Sequence, residues 1–187
     1  MDYKTEIELF ETLDSNNKAK EIYAHFGQAV FCAQVLEQQS INMIAVFRQS
    51  KDNLRSPKEI NELWDTYDLG KRTFGKLIKE VSVLYNLSDE DSIELNNVLK
   101  LRNYITHDYF RFNNELFYSD SGQKRMIKDF IEFCERAKVL DEKLTNYTKI
   151  YADRLGLTDE LIRKTMEQTR REWEKRIVTD EHNTIIR

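Results

Sequence analysis

Turn-forming residues are almost missing from this chain. One proline and five glycines in 187 residues fall far below ordinary usage, and so few breaks imply long helices rather than strands joined by tight turns. An excess of positive charge is also lacking. The formal net charge is −4, which excludes a generally basic nucleic-acid binder, so any contact with phosphates must be local. Cysteine is scarce. Cys32 and Cys134 both lie in apolar helical patterns and read as small buried thiols. No signal peptide is visible at the N-terminus, so neither an oxidising compartment nor a disulfide is expected. No apolar run approaches the length that spans a bilayer. The expectation is a cytoplasmic protein with no membrane contact.

Metal and phosphate motifs are missing as well. There is no Cys-x-x-Cys pair, no His-Glu-x-x-His and no glycine-rich phosphate loop. Asp65, Asp68, Asp89, Glu90 and Asp91 are spaced as helix starts rather than as ligands. His25 reads as a boundary histidine, with no second ligand at metal spacing. No metal and no cofactor are expected.

What is present is helical periodicity. Residues 1–17 are acidic, with Asp2, Glu6, Glu8, Glu11 and Asp14 against Lys4. They read as a loose or short-helical N-terminus that ends in a helix-start signal, Asp14-Ser15-Asn16-Asn17. From Lys18 to Arg48, Ala19, Ile22, Phe26, Ala29, Ala33, Leu36, Ser40, Met43 and Phe47 recur three and four apart, and Val30, Ile41 and Ile44 widen the stripe. This predicts a long helix buried along a broad face, as in a bundle. Gly27 costs about 1 kcal/mol inside a helix, and a close helix crossing would explain it. Ser56-Pro57-Lys58-Glu59 has the form of a capping box and predicts a short helix through Trp64 and Tyr67. Trp64, Tyr67 and Phe74 read as core or dimer contacts. Phe74 to Leu84 is amphipathic and ends at Asn86. Ser88-Asp89-Glu90-Asp91 opens a further helix, with Ile93, Leu95, Val98, Leu99 and Ile105 inward.

An aromatic connector, residues 110–118, in which Asn113-Asn114 could turn a small hairpin, leads to Ser119-Asp120-Ser121-Gly122 and another long helix. Gly156 and Thr158 suit a helix end and a helix start. In the last helix, residues 163–176 carry six basic side chains against three glutamates, a solvated or partner-binding arm. At most Ile162, Met166 and Trp173 would be buried there. The fold class is therefore all-α: an up-and-down bundle of four to five long helices over residues 1–156, with a C-terminal helical arm over 157–187.

One stretch concentrates chemistry: Arg102-Asn103-Tyr104-Ile105-Thr106-His107-Asp108-Tyr109. It falls where a helical pattern runs out. On a helix Asn103 and His107 are four apart and share a face, so the amide could orient the imidazole. Arg102 is five from His107, and the two converge only if the helix unwinds between them. An imidazole titrates near neutral pH and can act as acid or base. A guanidinium can stabilise charge on a phosphorane.

These residues resemble the signature of the HEPN superfamily, an arginine, a polar residue and a histidine after a short gap. Arg-x4-His-x-Tyr, ending at Tyr109, is similar to the HepT-type toxins within it. The resemblance implies a helical-bundle endoribonuclease that needs no metal, usually a homodimer with both motifs facing one cleft. It implies Arg102, His107 and Asn103 as catalytic residues and Tyr109 and Arg111 as binding residues. It also implies Tyr109 as a residue that a nucleotidyltransferase antitoxin modifies, and single-stranded RNA as the partner. A binding module without catalysis, holding a nucleotide or a protein, is the alternative from the same resemblance. A helical interaction protein working through the arm is the third.

Overall fold

The computed structural model describes residues 3–51, 56, 58–59, 62, 65 and 72–185, the last eight of them as backbone alone. The described residues are helical, with no strand among them. By its contacts the chain divides into two units, Met1–Thr148 and Lys149–Arg187, while the sequence reading puts the arm's start at 157.

In the first unit, α1 (Tyr3–Glu11) is followed by α2 (Ser15–Lys51). The Asp14 carboxylate accepts the Asn17 backbone N–H at 2.9 Å, so an aspartate cap starts α2 as the sequence predicts. The α2 stripe is buried: Ile22, Ala29, Ala33, Leu36, Ile41, Met43 and Ile44 are each at most 2 % exposed. Ser40 lies among them, and its hydroxyl donates to the Leu36 carbonyl at 3.0 Å, which removes the penalty for burying it. Gly27 does not mark a close crossing. A Cβ there would meet nothing within 4 Å, so its helix penalty has no steric reason.

Ser56 and Glu59 make the reciprocal capping-box bonds. Pro57 and the expected helix through Trp64 and Tyr67 lie outside the described residues. Phe74 is core, 3 % exposed, at the start of α3 (Phe74–Leu84), which packs on α2. The helix stops where Asn86 takes φ +47°. The Tyr85 hydroxyl donates to the Met43 carbonyl at 2.7 Å, fastening this turn to α2.

Ser88 caps α4 (Asp89–Asn103) by accepting the Asp91 N–H at 3.1 Å. Leu95, Val98 and Ile105 are buried as expected, but Ile93 is 62 % exposed. Ile93 and Leu95, two residues apart, cannot both face inward on a helix. The helical path does not end near His107. It continues through a π-helical turn (Tyr104–Asp108), α5 (Tyr109–Asn113) and a 3₁₀ turn (Asn114–Tyr118). The aromatic connector is thus helical rather than a hairpin; Phe110 and Phe117 pack against α2 while Phe112 and Tyr118 stay exposed. Phe110 meets Phe26 of α2 at 5.0 Å between ring centroids, and Phe117 meets Tyr23 at 5.5 Å.

The long helix α6 (Asp120–Arg154) buries Met126, Ile127, Phe130, Phe133, Ala137, Leu140 and Leu144. Gly122 is required here. A Cβ would fall inside contact distance of the Leu116 carbonyl oxygen and 2.7 Å from the Leu116 Cα, so only glycine lets the 3₁₀ turn lie against the start of α6. Arg136 of α6 and Glu94 of α4 form a forked ion pair at 2.9–3.1 Å.

In the second unit, Gly156 adopts φ +71° and Leu157 N–H bonds the Ala152 carbonyl at 3.0 Å, the expected left-handed helix stop. Thr158 caps α7 (Asp159–Ile185) by accepting the Leu161 N–H at 3.2 Å. Ile162, Met166 and Trp173 are all exposed, at 44, 68 and 58 %.

Candidate functional site

The sequence stretch of interest coincides with the single π turn among the described residues. A π turn bonds residue i to i+5 in place of i+4, and such turns inside α-helices are often found at functional sites. Here it sits between α4 and α5. In a plain α-helix His107 would lie over Asn103. The added residue shifts that register toward Arg102, five positions back. The helix continues through this turn, and among the described residues Arg102 and His107 share no hydrogen bond. Thr106 supports the distortion: its hydroxyl donates to the Arg102 carbonyl at 2.8 Å. Side-chain bonding of this kind competes with the helical ladder and bends it.

Arg102 is held from two directions. Its Nη2 donates to Glu37 Oε2 of α2 at 3.2 Å, and its Nη1 donates to Asn103 Oδ1 at 3.0 Å. The Arg102 and Glu37 side chains are 21 and 18 % exposed, so this pair is less screened than a surface one. Nε is shielded and has no hydrogen-bond partner among the described residues. The guanidinium is thus positioned in its plane, while part of its five-donor fork stays uncommitted.

Asn103 is exposed, and its amide oxygen serves Arg102, not His107 as the α-helical spacing suggested. His107 is exposed and makes no hydrogen bond among the described residues. Since helix continues beyond it, the imidazole does not sit at a helix C-terminus.

Tyr109 is placed differently from the expectation for a binding or modified residue. It is 2 % exposed, with its ring 4.6 Å from Phe130 and 5.6 Å from Tyr104. Its hydroxyl donates to Asp129 Oδ2 at 2.8 Å, and Arg125 donates to the other oxygen of that carboxylate at 2.8 Å. Burial first, then the Asp129 carboxylate, raises the phenol well above its usual range. A hydroxyl so placed is a core hydrogen-bond donor, and reaching it requires the aromatic cluster to open. Arg111 is exposed, with its guanidinium 5.5 Å from the Phe112 ring centroid.

The structure therefore joins Arg102, Asn103 and Glu37 by hydrogen bonds, with His107 exposed and in none of them. It leaves Tyr109 in the interior. Glu37 and Asp129 had no signal in the sequence. Glu37 is one polar residue beside a long stripe, 65 positions from its partner, and no local pattern marks such a pair. Set against protein-family models, curated proteins and solved structures, the chain matches none of them.

Proposed function

We propose that this protein is a HEPN-type endoribonuclease that cleaves single-stranded RNA without a metal, at a cleft shared by two copies of the chain. The observation that supports this reading is the π turn Tyr104–Asp108, which follows Arg102 and Asn103 and contains His107. The Arg102 guanidinium is positioned by Glu37 and Asn103, and the His107 imidazole is exposed with no hydrogen-bond partner among the described residues. An imidazole left in contact with solvent can accept and return protons. A guanidinium fixed by Glu37 and Asn103 presents charge without reorganising.

In the reaction, one His107 takes the proton of a ribose 2′-hydroxyl as its oxygen attacks the adjacent phosphorus. The P–O5′ bond breaks, and the histidine of the second copy gives a proton to the leaving 5′-oxygen. Arg102 of either copy stabilises the charge that builds on the non-bridging oxygens. The products are a 2′,3′-cyclic phosphate and a 5′-hydroxyl. Asn103 orients Arg102, and exposed Arg111 contacts the RNA backbone. The test is incubation with single-stranded RNA in EDTA, followed by analysis of the new ends. Cyclic phosphate from the native protein and none from His107→Ala is the expected result. Absence of cleavage, or cleavage that persists in His107→Ala, removes the catalytic assignment. Binding of RNA without cleavage would favour the non-catalytic module instead.

A further inference from the structure

A second cluster of chemistry lies apart from the Arg102–His107 stretch. His25 of α2 is buried, its side chain 8 % exposed, and its Nε2 is shielded from solvent without a hydrogen-bond partner among the described residues. That nitrogen faces two carboxylates. Glu21, one turn back on α2, places Oε1 at 3.6 Å, and Glu6, arriving from α1, places Oε2 at 3.8 Å. All three ligand atoms lie within 4.8 Å of one another. The sequence reading missed this because Glu6 comes from another helix, and because Glu21 and His25, four apart, look like an ordinary helix pair.

The separations are informative. A charged hydrogen bond from imidazolium to carboxylate closes to about 2.7–2.9 Å, and neither contact does. Donor atoms that share one tetrahedral zinc, with bonds of about 2.0–2.1 Å, stand roughly 3.4 Å apart. The two distances from His25 lie nearer that second value. Two carboxylates and a neutral imidazole also carry a charge of −2, which a divalent ion balances. An unpartnered buried nitrogen is costly, and coordination would satisfy it.

We infer that Glu6, Glu21 and His25 bind one divalent transition-metal ion, with Zn²⁺ the best match to a nitrogen-plus-carboxylate set. Mg²⁺ and Ca²⁺ prefer all-oxygen shells. The ion bridges the short α1 to α2. The three ligands lie in the wall of a cavity of about 870 Å³ that also reaches Gln28, Cys32 and Cys134. A fourth coordination position can therefore be filled from the cavity by water or a small oxygen ligand, as in zinc sites with three protein ligands.

The test is calorimetric titration of the full-length, chelator-treated protein with ZnCl₂ and separately with MgCl₂. One Zn²⁺ per chain, a higher Tm in its presence and no response to Mg²⁺ are expected. His25→Ala and the near-isosteric Glu6→Gln should each weaken Zn²⁺ binding at least tenfold. Glu6→Gln, which changes one oxygen to an amide at the edge of the bundle, guards against a folding defect in His25→Ala. Replacement by Co²⁺ gives an independent readout, since a thiolate charge-transfer band would put the ion on Cys32 and Cys134 instead. That band, no saturable Zn²⁺ binding, or affinity unchanged in Glu6→Gln overturns the assignment.

Discussion

At the scale of single residues, burial decides what each polar group can do. Tyr109 gives its hydroxyl to Asp129 inside the aromatic cluster. Tyr109→Phe keeps the ring and loses one bond to a charged acceptor. Because Asp129 retains Arg125, the cost should be modest, about 1–2 kcal/mol in urea denaturation. A wild-type midpoint in this variant would mean that the buried bond is not formed. Cys32 and Cys134 are half-buried rather than buried as the sequence suggests, and desolvation, then the neighbouring Cys32, pushes the Cys134 thiol up to about 12. It therefore stays protonated at pH 8 and is a poor nucleophile. Alkylation of native Cys134 by iodoacetamide should run more than ~100-fold slower than in the unfolded chain, as read by peptide mass spectrometry. Equal rates would contradict the raised thiol pKa. At this scale the sequence was a fair guide to identity but not to environment. Arg102 and His107 stood out by type, whereas the interior position of Tyr109 and the partnership with Glu37 depend on contacts tens of residues away.

Among helices and turns, small devices hold the candidate site in place. Gly122 lets the 3₁₀ turn touch α6. A methyl group there must push Leu116 backbone, which cannot swing aside like a side-chain end, so Gly122→Ala should cost about 2 kcal/mol. A lowered Tm checks this, and an unchanged Tm would mean the approach is looser. The start of α4 is tied to α6 through Asp91. It accepts from Tyr147 at 2.7 Å, from Lys143 at 3.0 Å and from Ser88 at 2.8 Å. These bonds, Tyr147 first, lower its pKa below the ordinary aspartate value. The folded pKa lies below the unfolded one, so the stabilisation is present above about pH 4 and is lost as pH falls through the folded value. Asp91→Asn should therefore have a lower Tm than wild type at pH 7, by about 1–2 kcal/mol in stability, and the gap should narrow as pH falls below about 4. A constant gap across that range would refute this origin. Helices were the most legible feature of the sequence. The spacing of three and four from Ile22 to Phe47, the Asp14 and Ser88 caps and the Gly156 stop all recur in the fold. The π turn was not legible, since its bonds shift by one residue without a composition of their own, and the aromatic connector gave no period to identify it as helix.

For the whole molecule, no helix among the described residues is long and apolar enough to cross a membrane. Every buried apolar side chain among them lies at or before Leu144. Deleting residues 157–187 should thus leave the Tm of the bundle within a few degrees of native. A collapse in Tm would show that the arm supports the core. If the arm is the working surface of a partner-binding protein, the same deletion abolishes partner capture and spares the fold.

The central claim is that Arg102 and His107 act as one unit on one phosphate. The most direct measurement is a double-mutant cycle on RNA cleavage in EDTA, with Arg102→Ala, His107→Ala and the pair together. Residues that work jointly are strongly non-additive. The account predicts that each single variant loses nearly all cleavage and that the double variant is scarcely worse than either. Additive losses, or a single variant that cuts at the native rate, would contradict it.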